Sequence, residues 1–528
     1  MNQAPTLSAT QRNFRQNLLS MAGLCCVLIM VALDQTVIGT ALPTVVAELK
    51  GFSLYAWVGT SYLLTSIITI PIFGKLGDEH GRKPYVLIAI ALFTSASMLC
   101  GAAHDMLELV LARALQGVGG GMLMATAFAS VPDLFPETRE RLRWQILFSS
   151  SFGLANAFGP SLGGFITEYL GWRWVFFVNL PVGMISLWLV WRYLPRIRQT
   201  EHVPAPLDWL GALLIALTLG SLQLLVEWLP LHKPAALLVG LATLGAVCGT
   251  VLIWWERRCA NPLLPLEMFT HPSLRQLFTL SLIVGFCMFA VMYYVPLIFQ
   301  GGFGLSPNQA GLLITPLAVF ITVGSIINGR IVTRLRSPNV ILYIGAGFFW
   351  GAALALTQTT IHTPHAWIIL SMMAGGIGLG LLLPNLTLFV QNTAPRAQLG
   401  VATAMLQSTR MIGGMLGMAI MGAVVSHQYA GRVNDLLQAT ANTRWQAWLD
   451  DPQILVNPVL AEQFNSAVQQ TGTNAALLLA EARSSLVHAI HISEWLVVGL
   501  MILAPWVISR IPPININRSV VNRQSTYD

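Results

Sequence analysis

The feature that most constrains this chain is a series of apolar runs, each about twenty residues long, that alternate with short polar segments. A helix needs about 20 mostly apolar residues to cross the hydrocarbon core of a bilayer. Of the 528 residues, 55% are hydrophobic and 10% are charged, a balance typical of membrane proteins rather than soluble domains. We therefore predict an all-α polytopic membrane protein.

Glycine, proline and charged residues mark the ends of fourteen predicted membrane helices. Two groups of six are separated by an accessory pair, and the even number places both termini on one side. The predicted helices lie near residues 17–41, 54–74, 84–103, 106–131, 144–168 and 174–194, then 208–229 and 234–255, then 275–299, 309–333, 338–359, 366–391, 401–425 and 488–510.

These helices predict five regions. They are a cytoplasmic tail 1–16, a six-helix bundle 17–200, the accessory helices 201–258, a second six-helix bundle 259–511 and a cytoplasmic tail 512–528. The second bundle includes an outer-face loop, 426–487, with helical stretches expected around 432–439 and 458–470. A loop of this size is too small to count on a core of its own, so we predict a packed helical cap or hairpin.

The distribution of basic residues sets the orientation. With the N-terminus in the cytoplasm, most of the 29 Lys and Arg residues fall in the inner loops, as the positive-inside rule requires. We predict a multi-pass protein of the bacterial inner membrane with both termini in the cytoplasm. The basic residues are scattered rather than gathered into a patch, which argues against nucleic-acid binding.

Signatures of enzymes and cofactor sites are missing from the sequence. It contains no HExxH or GxxxxGK[ST] motif, so we predict neither an enzyme nor a user of ATP. The six cysteines show no CxxC spacing. His488, His491 and Glu494 recur every three residues, but a fourth ligand is missing, so we predict no metal and no cofactor.

An ionisable residue inside a membrane helix suggests function, because its insertion costs about 2.5 to 3.5 kcal/mol. Asp34 lies well inside the first predicted helix. A carboxylate there can hold either a proton or an organic cation, and competition between the two is enough for exchange. The alternative is a carboxylate at a helix end that faces water.

Two arginines lie within predicted helices, and neither is expected to remain unpaired. Arg113 could stay positive beside the proton route, or could simply pair with backbone carbonyls. Arg410 shares one helix face with Gln407, Gly414 and Gly417, which predicts that this face lines the interior.

Weaker candidates complete the predicted site. Glu227 and Glu494 are further coupling candidates, each within reach of the membrane interface. Met288, Met292 and Tyr293 would suit an apolar binding cavity, with Gln407 as a polar lining residue. Packing against lipid explains the methionines and tyrosine equally well.

The two groups of six helices echo each other. A short basic turn follows the second helix of each group, at 74–82 and 329–336, and a glycine run lies in each fourth helix, at 117–121 and 375–380. Parallel repeats of transporters would produce this pattern, although glycine is also common in membrane helices generally.

Three motifs resemble those of the major facilitator superfamily. The first is similar to the cytoplasmic gate motif, which in that family latches the two halves, and comprises Gly74, Gly77, Asp78, Gly81, Arg82 and Lys83. The second, which resembles a fourth-helix motif linked to proton coupling, comprises Arg113, Gln116 and Gly117. The third resembles the fifth-helix motif of exporting antiporters and comprises Gly153, Gly159, Pro160, Ser161, Gly163 and Gly164.

Residues 33–43 and 172–183, together with the accessory pair, resemble the fourteen-span drug:proton antiporters of that superfamily. The resemblance implies two six-helix bundles plus two accessory helices, working by alternating access. It implies proton-driven export of drug-like, cationic or lipophilic compounds, with protons, small-molecule substrates and membrane lipid as partners. Gly39 departs from the family, which often has Asn there.

Several alternatives stay open. The same fold could export one endogenous metabolite, siderophore or peptide, and the resemblance is compatible with a periplasmic adaptor protein as a partner. A membrane receptor or sensor would need a soluble signalling domain, and the predicted cytoplasmic segments are too short for one.

Overall fold

A computed structural model describes residues 14–135, 138–196, 208–229, 234–259, 262–264, 266–332, 335, 337–394, 399–440, 442–469 and 474–512. All regular secondary structure within these ranges is helical. Thirteen helical segments there are long and apolar enough to cross a membrane. A further helix of 32 residues, Thr138–Tyr169, is also long enough to span.

The first bundle contains six spans. Its helices are α1 (Phe14–Leu49), α2 (Tyr55–His80), α3 (Arg82–Ala102), α4 (Met106–Leu134), α5 (Thr138–Tyr169), and the pair α6 (Arg173–Phe177) and α7 (Asn179–Tyr193), which together make the sixth span.

The accessory pair follows as α8 (Trp209–Trp228) and α9 (Ala235–Glu256), which pack against each other. Helix α8 also contacts α2 and α15, whereas only 6% of the most apolar 18-residue stretch of α9 is buried. The accessory helices therefore lie at the edge of the molecule, with α9 outermost.

The second bundle again contains six long helices. They are α11 (Pro272–Leu297), α12 (Pro307–Ile331), α13 (Asn339–Leu356), α14 (His365–Thr393), α15 (Leu399–Ala439) and α18 (Ala475–Ser509). A short helix α10 (Glu267–Thr270) precedes them, and α11 ends in a π-helical turn, Ile298–Gly302. Helices α16 (Gln446–Leu449) and α17 (Pro458–Gln469) lie between α15 and α18.

Several helices extend beyond the predicted spans, because apolar residues mark only the part of a helix that lies in hydrocarbon. Helix α15 is 41 residues long and continues through 432–439, so it projects from the membrane. Its projecting end joins α16, α17 and the start of α18 in what we call the outer cap, residues 426–487. Within the described part of the cap, Tyr429 donates a hydrogen bond to the Leu449 carbonyl (2.8 Å), and the buried Phe464 ring packs against Trp445 and Trp448.

The two bundles meet along α5 and α12, α2 and α15, and α1 and α11. At the α5–α12 contact, a Cβ atom on Gly164 would lie 2.3 Å from the Pro307 carbonyl oxygen, and one on Gly311 would lie 2.4 Å from that of Pro160. Real side chains do not tolerate such distances, so these glycines permit the close approach of the two helices.

The space between the bundles closes toward the cap. We call the side that holds residues 74–83 the inner side. Helix α1 is enclosed by α4, α5, α7 and α11, yet several of its side chains between positions 22 and 35 are partly exposed, whereas positions 36–43 are all buried. The exposed positions therefore face a space between the bundles that opens toward the inner side.

Hydrogen bonds between the bundles hold the outer side closed. Gln300 donates to the Thr40 carbonyl (2.7 Å), and the backbone amide of Asn308 donates to Glu168 (3.0 Å). From the outer cap, Gln453 donates to the Ala47 carbonyl (3.0 Å). The outer end of α1 is thus bound both to the second bundle and to the cap.

Candidate functional site

The carboxylate of Asp34 lies in the interior of α1, and the residue is 3% exposed. Its Oδ2 atom accepts a hydrogen bond from Arg113 Nη1 at 2.6 Å, and its Oδ1 atom accepts one from Gln116 Nε2 at 2.7 Å. Asp34 is therefore not a carboxylate at a helix end that faces water. We call Asp34, Arg113 and Gln116 the ion-pair cluster.

Arg113 is enclosed on several sides. Its Nη1 atom also donates to Gln116 Oε1 (2.6 Å), its Nε atom donates to the Val58 carbonyl (3.1 Å), and the guanidinium lies 4.5 Å from the Tyr62 ring centroid. No described residue forms a hydrogen bond with the Nη2 atom. Arg113 thus pairs with the Asp34 carboxylate and also donates to a backbone carbonyl, and its role beside a proton route stays a prediction.

A second layer of polar side chains connects the ion-pair cluster to α3 and the α6–α7 span. Gln116 Nε2 donates to Ser97 Oγ (3.3 Å), Asn179 Nδ2 donates to the same oxygen (2.9 Å), and Ser97 donates to the Phe176 carbonyl (3.0 Å). Ser97 was not among the site residues predicted from the sequence. A buried serine in an apolar helix carries little signal, because it could equally bond to its own backbone.

The geometry of the cluster defines what it can do chemically. An ion pair in a dry interior persists only when charge and hydrogen bonds match, and removal of one partner leaves a buried charge uncompensated. A proton that binds Asp34 would cancel its charge and leave Arg113 without a counterion. Proton binding here must therefore be accompanied by rearrangement of α1 against α4.

Arg410 differs from Arg113. It is partly exposed in α15, and no described residue forms an ion pair or hydrogen bond with its guanidinium. The expectation that both intramembrane cations are paired thus holds at Arg113 only. On the face that Arg410 was predicted to share, Gly414 packs onto the Phe289 ring and Gly417 onto the Phe286 backbone, whereas Gln407 is partly exposed.

Glu494 is buried within the second bundle and is 2% exposed. Helix α18 begins at Ala475 rather than at the predicted 488, because its first turns belong to the outer cap. Among the described residues, none forms a hydrogen bond with either carboxyl oxygen of Glu494. One turn before it, His491 Nε2 lies 3.3 Å from Thr359 Oγ1. The described residues hold no group of three metal-ligating side chains.

The remaining cavity candidates separate into two kinds. Met288 and Met292 are partly exposed, as lining residues would be. Tyr293 is buried against Gly59, and its carbonyl accepts a hydrogen bond from Tyr55 (2.8 Å), so it packs the contact between the bundles. The side chain of Glu227 lies outside the described part of the chain.

The predicted gate motif forms the tight turn between α2 and α3. Gly81 has φ 87°, a conformation that glycine adopts without strain, and Lys83 Nζ donates to the Trp191 carbonyl (2.7 Å). Gly74 lies in open surroundings, and Gly77 lies close to Arg82. A groove of about 740 Å³ beside this turn is lined by residues that include His80, Lys83, Trp191, Arg192 and Arg196. The side chain of Asp78 lies outside the described part, so its predicted latch stays a prediction.

The predicted antiporter motif lies where α5 crosses α1. A Cβ atom on Gly159 would overlap Thr36 Oγ1, and one on Gly163 would lie 2.5 Å from Thr40 Oγ1. Thr40 also donates to the Pro160 carbonyl (3.3 Å). Gly153 is in α5, but its surroundings lie outside the described part. The motif thus holds α5 tightly against the helix that carries Asp34.

Two six-helix bundles and an accessory pair, with a charged cluster buried between membrane helices, match the architecture of membrane transporters. The chain belongs to the Major Facilitator Superfamily, whose sequence model matches residues 24–418. This confirms the predicted family and the all-α fold.

Sequence relatives are themselves transporters. The Multidrug transporter protein MdtP of Bacillus subtilis (strain 168) is 34% identical over 430 residues, which cover 79% of this chain and 77% of that protein. Multidrug resistance protein 3 of the same organism is 31% identical, with 84% of this chain and 87% of that protein covered.

Solved structures share the fold. A bacterial homolog of the human lysosomal transporter Spinster, in an inward-facing and unoccupied conformation, superimposes with a TM-score of 0.66 over 95% of this chain and 98% of that one. A D-xylose-proton symporter gives a TM-score of 0.56 over 85% and 97%. The sequence identities are 14% and 15%, so these likenesses concern the fold alone.

Proposed function

We propose that this protein is a proton-coupled antiporter that exports drug-like, cationic or lipophilic compounds across the bacterial inner membrane, with both termini in the cytoplasm. The observation that carries the proposal is the buried ion pair between Asp34 and Arg113 at the contact of α1 and α4. The two multidrug relatives support the class of substrate.

The ion-pair cluster supplies the coupling chemistry. In this inner-open arrangement the Asp34 carboxylate accepts hydrogen bonds from Arg113 and Gln116, and a proton that Asp34 has carried leaves toward the inner side. When the outer side opens, a proton from the outside binds Asp34, its charge disappears and the hydrogen bond from Arg113 weakens. Substrate release accompanies that rearrangement, and substrate binding inside follows loss of the proton.

The energy source is the proton gradient. The sequence contains no phosphate-binding GxxxxGK[ST] motif, so ATP is not the evident driver. Alternating access would expose Asp34 first to one side and then to the other. Glu494, a carboxylate buried in the second bundle, is a candidate for a second proton site.

The test is export of a fluorescent lipophilic cation in inverted vesicles with an imposed pH gradient. We expect wild-type protein to accumulate the dye when the gradient is present, and Asp34→Asn to lose this response. Glu108→Gln, which changes an exposed carboxylate at the start of α4, is the matched control and should transport normally.

Either of two results would count against the proposal. Full proton-driven export by Asp34→Asn would show that Asp34 is not the coupling residue. If wild-type protein transports no lipophilic compound of any charge, the function would shift to a narrow exporter of one metabolite, siderophore or peptide.

A further inference from the structure

Arg410 is a cation within the second bundle, and no described carboxylate lies within ion-pair distance of it. Asp34 is bound to Arg113, and neither Glu494 oxygen has a hydrogen-bond partner among the described residues. An unpaired charge inside a membrane protein is costly and is retained only where it serves a purpose.

Two separate stripes of α15 are partly exposed, and they show which way Arg410 faces. Thr403, Gln407 and Arg410 form one stripe. Positions 412, 416 and 420 form the other, which is centred about 120° around the helix from Arg410. The second stripe is wholly apolar, as a lipid-facing surface should be. The first, polar stripe therefore faces the space between the bundles.

The depth of Arg410 in that space is fixed by its neighbours. Its own backbone packs against Gly285 of α11, where a Cβ atom would lie 2.0 Å from the Arg410 carbonyl oxygen. One turn further toward the outer side, Gly414 is covered by Phe289. Arg410 thus lies level with Gly285, on the inner side of Phe289 and about two helical turns short of Met292, where a molecule that enters from the inner side can reach it.

Arg113 and Arg410 differ in the hydrogen-bond acceptors that surround them. Asp34 Oδ2, Gln116 Oε1 and the Val58 carbonyl accept hydrogen bonds from Arg113, so the protein itself supplies a counterion and two further acceptors to that guanidinium. Arg410 has no such donor–acceptor set, and its side chain remains accessible. Of the two intramembrane guanidinium groups, one is a fixed part of the protein and the other is free to bind an incoming anion.

We propose that Arg410, with Gln407 one turn away, is a binding subsite for the anionic group of a substrate. This rests on the proposed export function and deepens it, because the exported compounds would include amphipathic acids. A guanidinium binds a carboxylate, sulfonate or phosphate through two parallel hydrogen bonds, and Gln407 can donate a third. Met288 and Met292 on neighbouring α11, both partly exposed, would contact the apolar body.

The test uses one xanthene dye in two forms, as the free carboxylic acid and as its methyl ester. Uptake is measured with an imposed pH gradient in proteoliposomes made of neutral lipid. Wild type is compared with Arg410→Gln, with Arg410→Lys, and with Arg275→Gln as a control at an exposed arginine of α11.

We expect Arg410→Gln to raise the KM for the acid about tenfold or more, the effect of losing a charge-assisted pair of hydrogen bonds. The KM for the ester should stay within about twofold, and Arg275→Gln should resemble wild type. Arg410→Lys keeps the charge but lacks the two parallel N–H donors of a guanidinium. Its KM for the acid should therefore lie between those of wild type and Arg410→Gln.

Several outcomes would overturn the proposal. They are an equal effect of Arg410→Gln on both dyes, transport of the ester but not the acid by wild type, and an effect that appears only when anionic lipid is added, which would assign Arg410 to a lipid headgroup. If Arg410→Gln does not fold, two other measurements test the proposal. They are the KM of Arg410→Lys for the acid and the competition between acid and ester for transport by wild type. Failure of the export function itself would look different, because neither dye would respond to the gradient.

Discussion

At the scale of single residues, the ion-pair cluster depends on the pairing of one carboxylate, Asp34, with one guanidinium, Arg113. Arg113→Gln would leave the Asp34 carboxylate in a dry interior without a cation. We expect a loss of about 3 to 5 kcal/mol in stability, seen as a lower unfolding temperature in detergent.

The double variant Asp34→Asn with Arg113→Gln removes both charges and leaves two amide side chains. It should recover part of that stability while remaining inactive in proton-driven export. A double variant less stable than Arg113→Gln would show that Asp34 and Arg113 do not compensate each other.

Glu494 should respond in the opposite way. Because neither oxygen of Glu494 has a hydrogen-bond partner, Glu494→Gln removes no described contact. We expect an unfolding temperature equal to or above that of wild type, together with reduced proton-driven export if Glu494 is a second proton site. Unchanged export across the pH range would remove Glu494 from the coupling residues.

At the scale of helices, close packing between the bundles depends on positions without a side chain. Gly164→Ala would place a Cβ atom 2.3 Å from the Pro307 carbonyl, and a backbone cannot move aside as a flexible side chain can. We expect α5 and α12 to separate at their outer ends, which increases labelling of a cysteine introduced at position 308 by an impermeant thiol reagent.

Gly220→Ala is the matched control, because nothing lies within 4 Å of a Cβ atom at that position of α8. It should leave the labelling unchanged, and alanine is a better helix former than glycine. Equal labelling of the Gly164→Ala and Gly220→Ala backgrounds would contradict the role given to the α5–α12 contact.

The outer cap holds a half-buried carboxylate, Asp451, whose titration can be tested. Burial raises the pKa of Asp451 above its usual value, although a hydrogen bond from the Gln453 amide opposes this. Ionisation of Asp451 therefore destabilises the folded cap, and the loss appears as pH rises through the raised value. Asp451→Asn, which can still accept from the Gln453 amide, should protect the cap from proteolysis at pH 8.

That protection should shrink as the pH falls into the usual range of an aspartate, where the wild-type side chain is also neutral. Proteolysis of the cap at several pH values provides the measurement. Equal protection at every pH would mean that charge at Asp451 is not involved.

At the scale of the whole molecule, hydropathy and charge were enough to predict an all-α membrane protein with two six-helix groups. Apolar runs report where hydrocarbon surrounds a helix, so they could not show that α18 begins at Ala475 or how deep Glu494 lies. Motif resemblance placed Arg113 and Gln116 together on one helix. Their contact with Asp34, 79 residues from Arg113, depends on how α1 and α4 are rotated, which a hydropathy pattern does not specify.

The length of α15 has a mechanical consequence. From Arg410 to Ala439 the helix runs about 44 Å at 1.5 Å per residue, and its far end carries the cap that bonds to Ala47 through Gln453. It can act as a lever, since a tilt of about 5° near Arg410 would displace that end by about 4 Å over this length. Such a displacement exceeds the reach of a hydrogen bond, so a small event at the Arg410 guanidinium could release the contacts on the far side of the membrane.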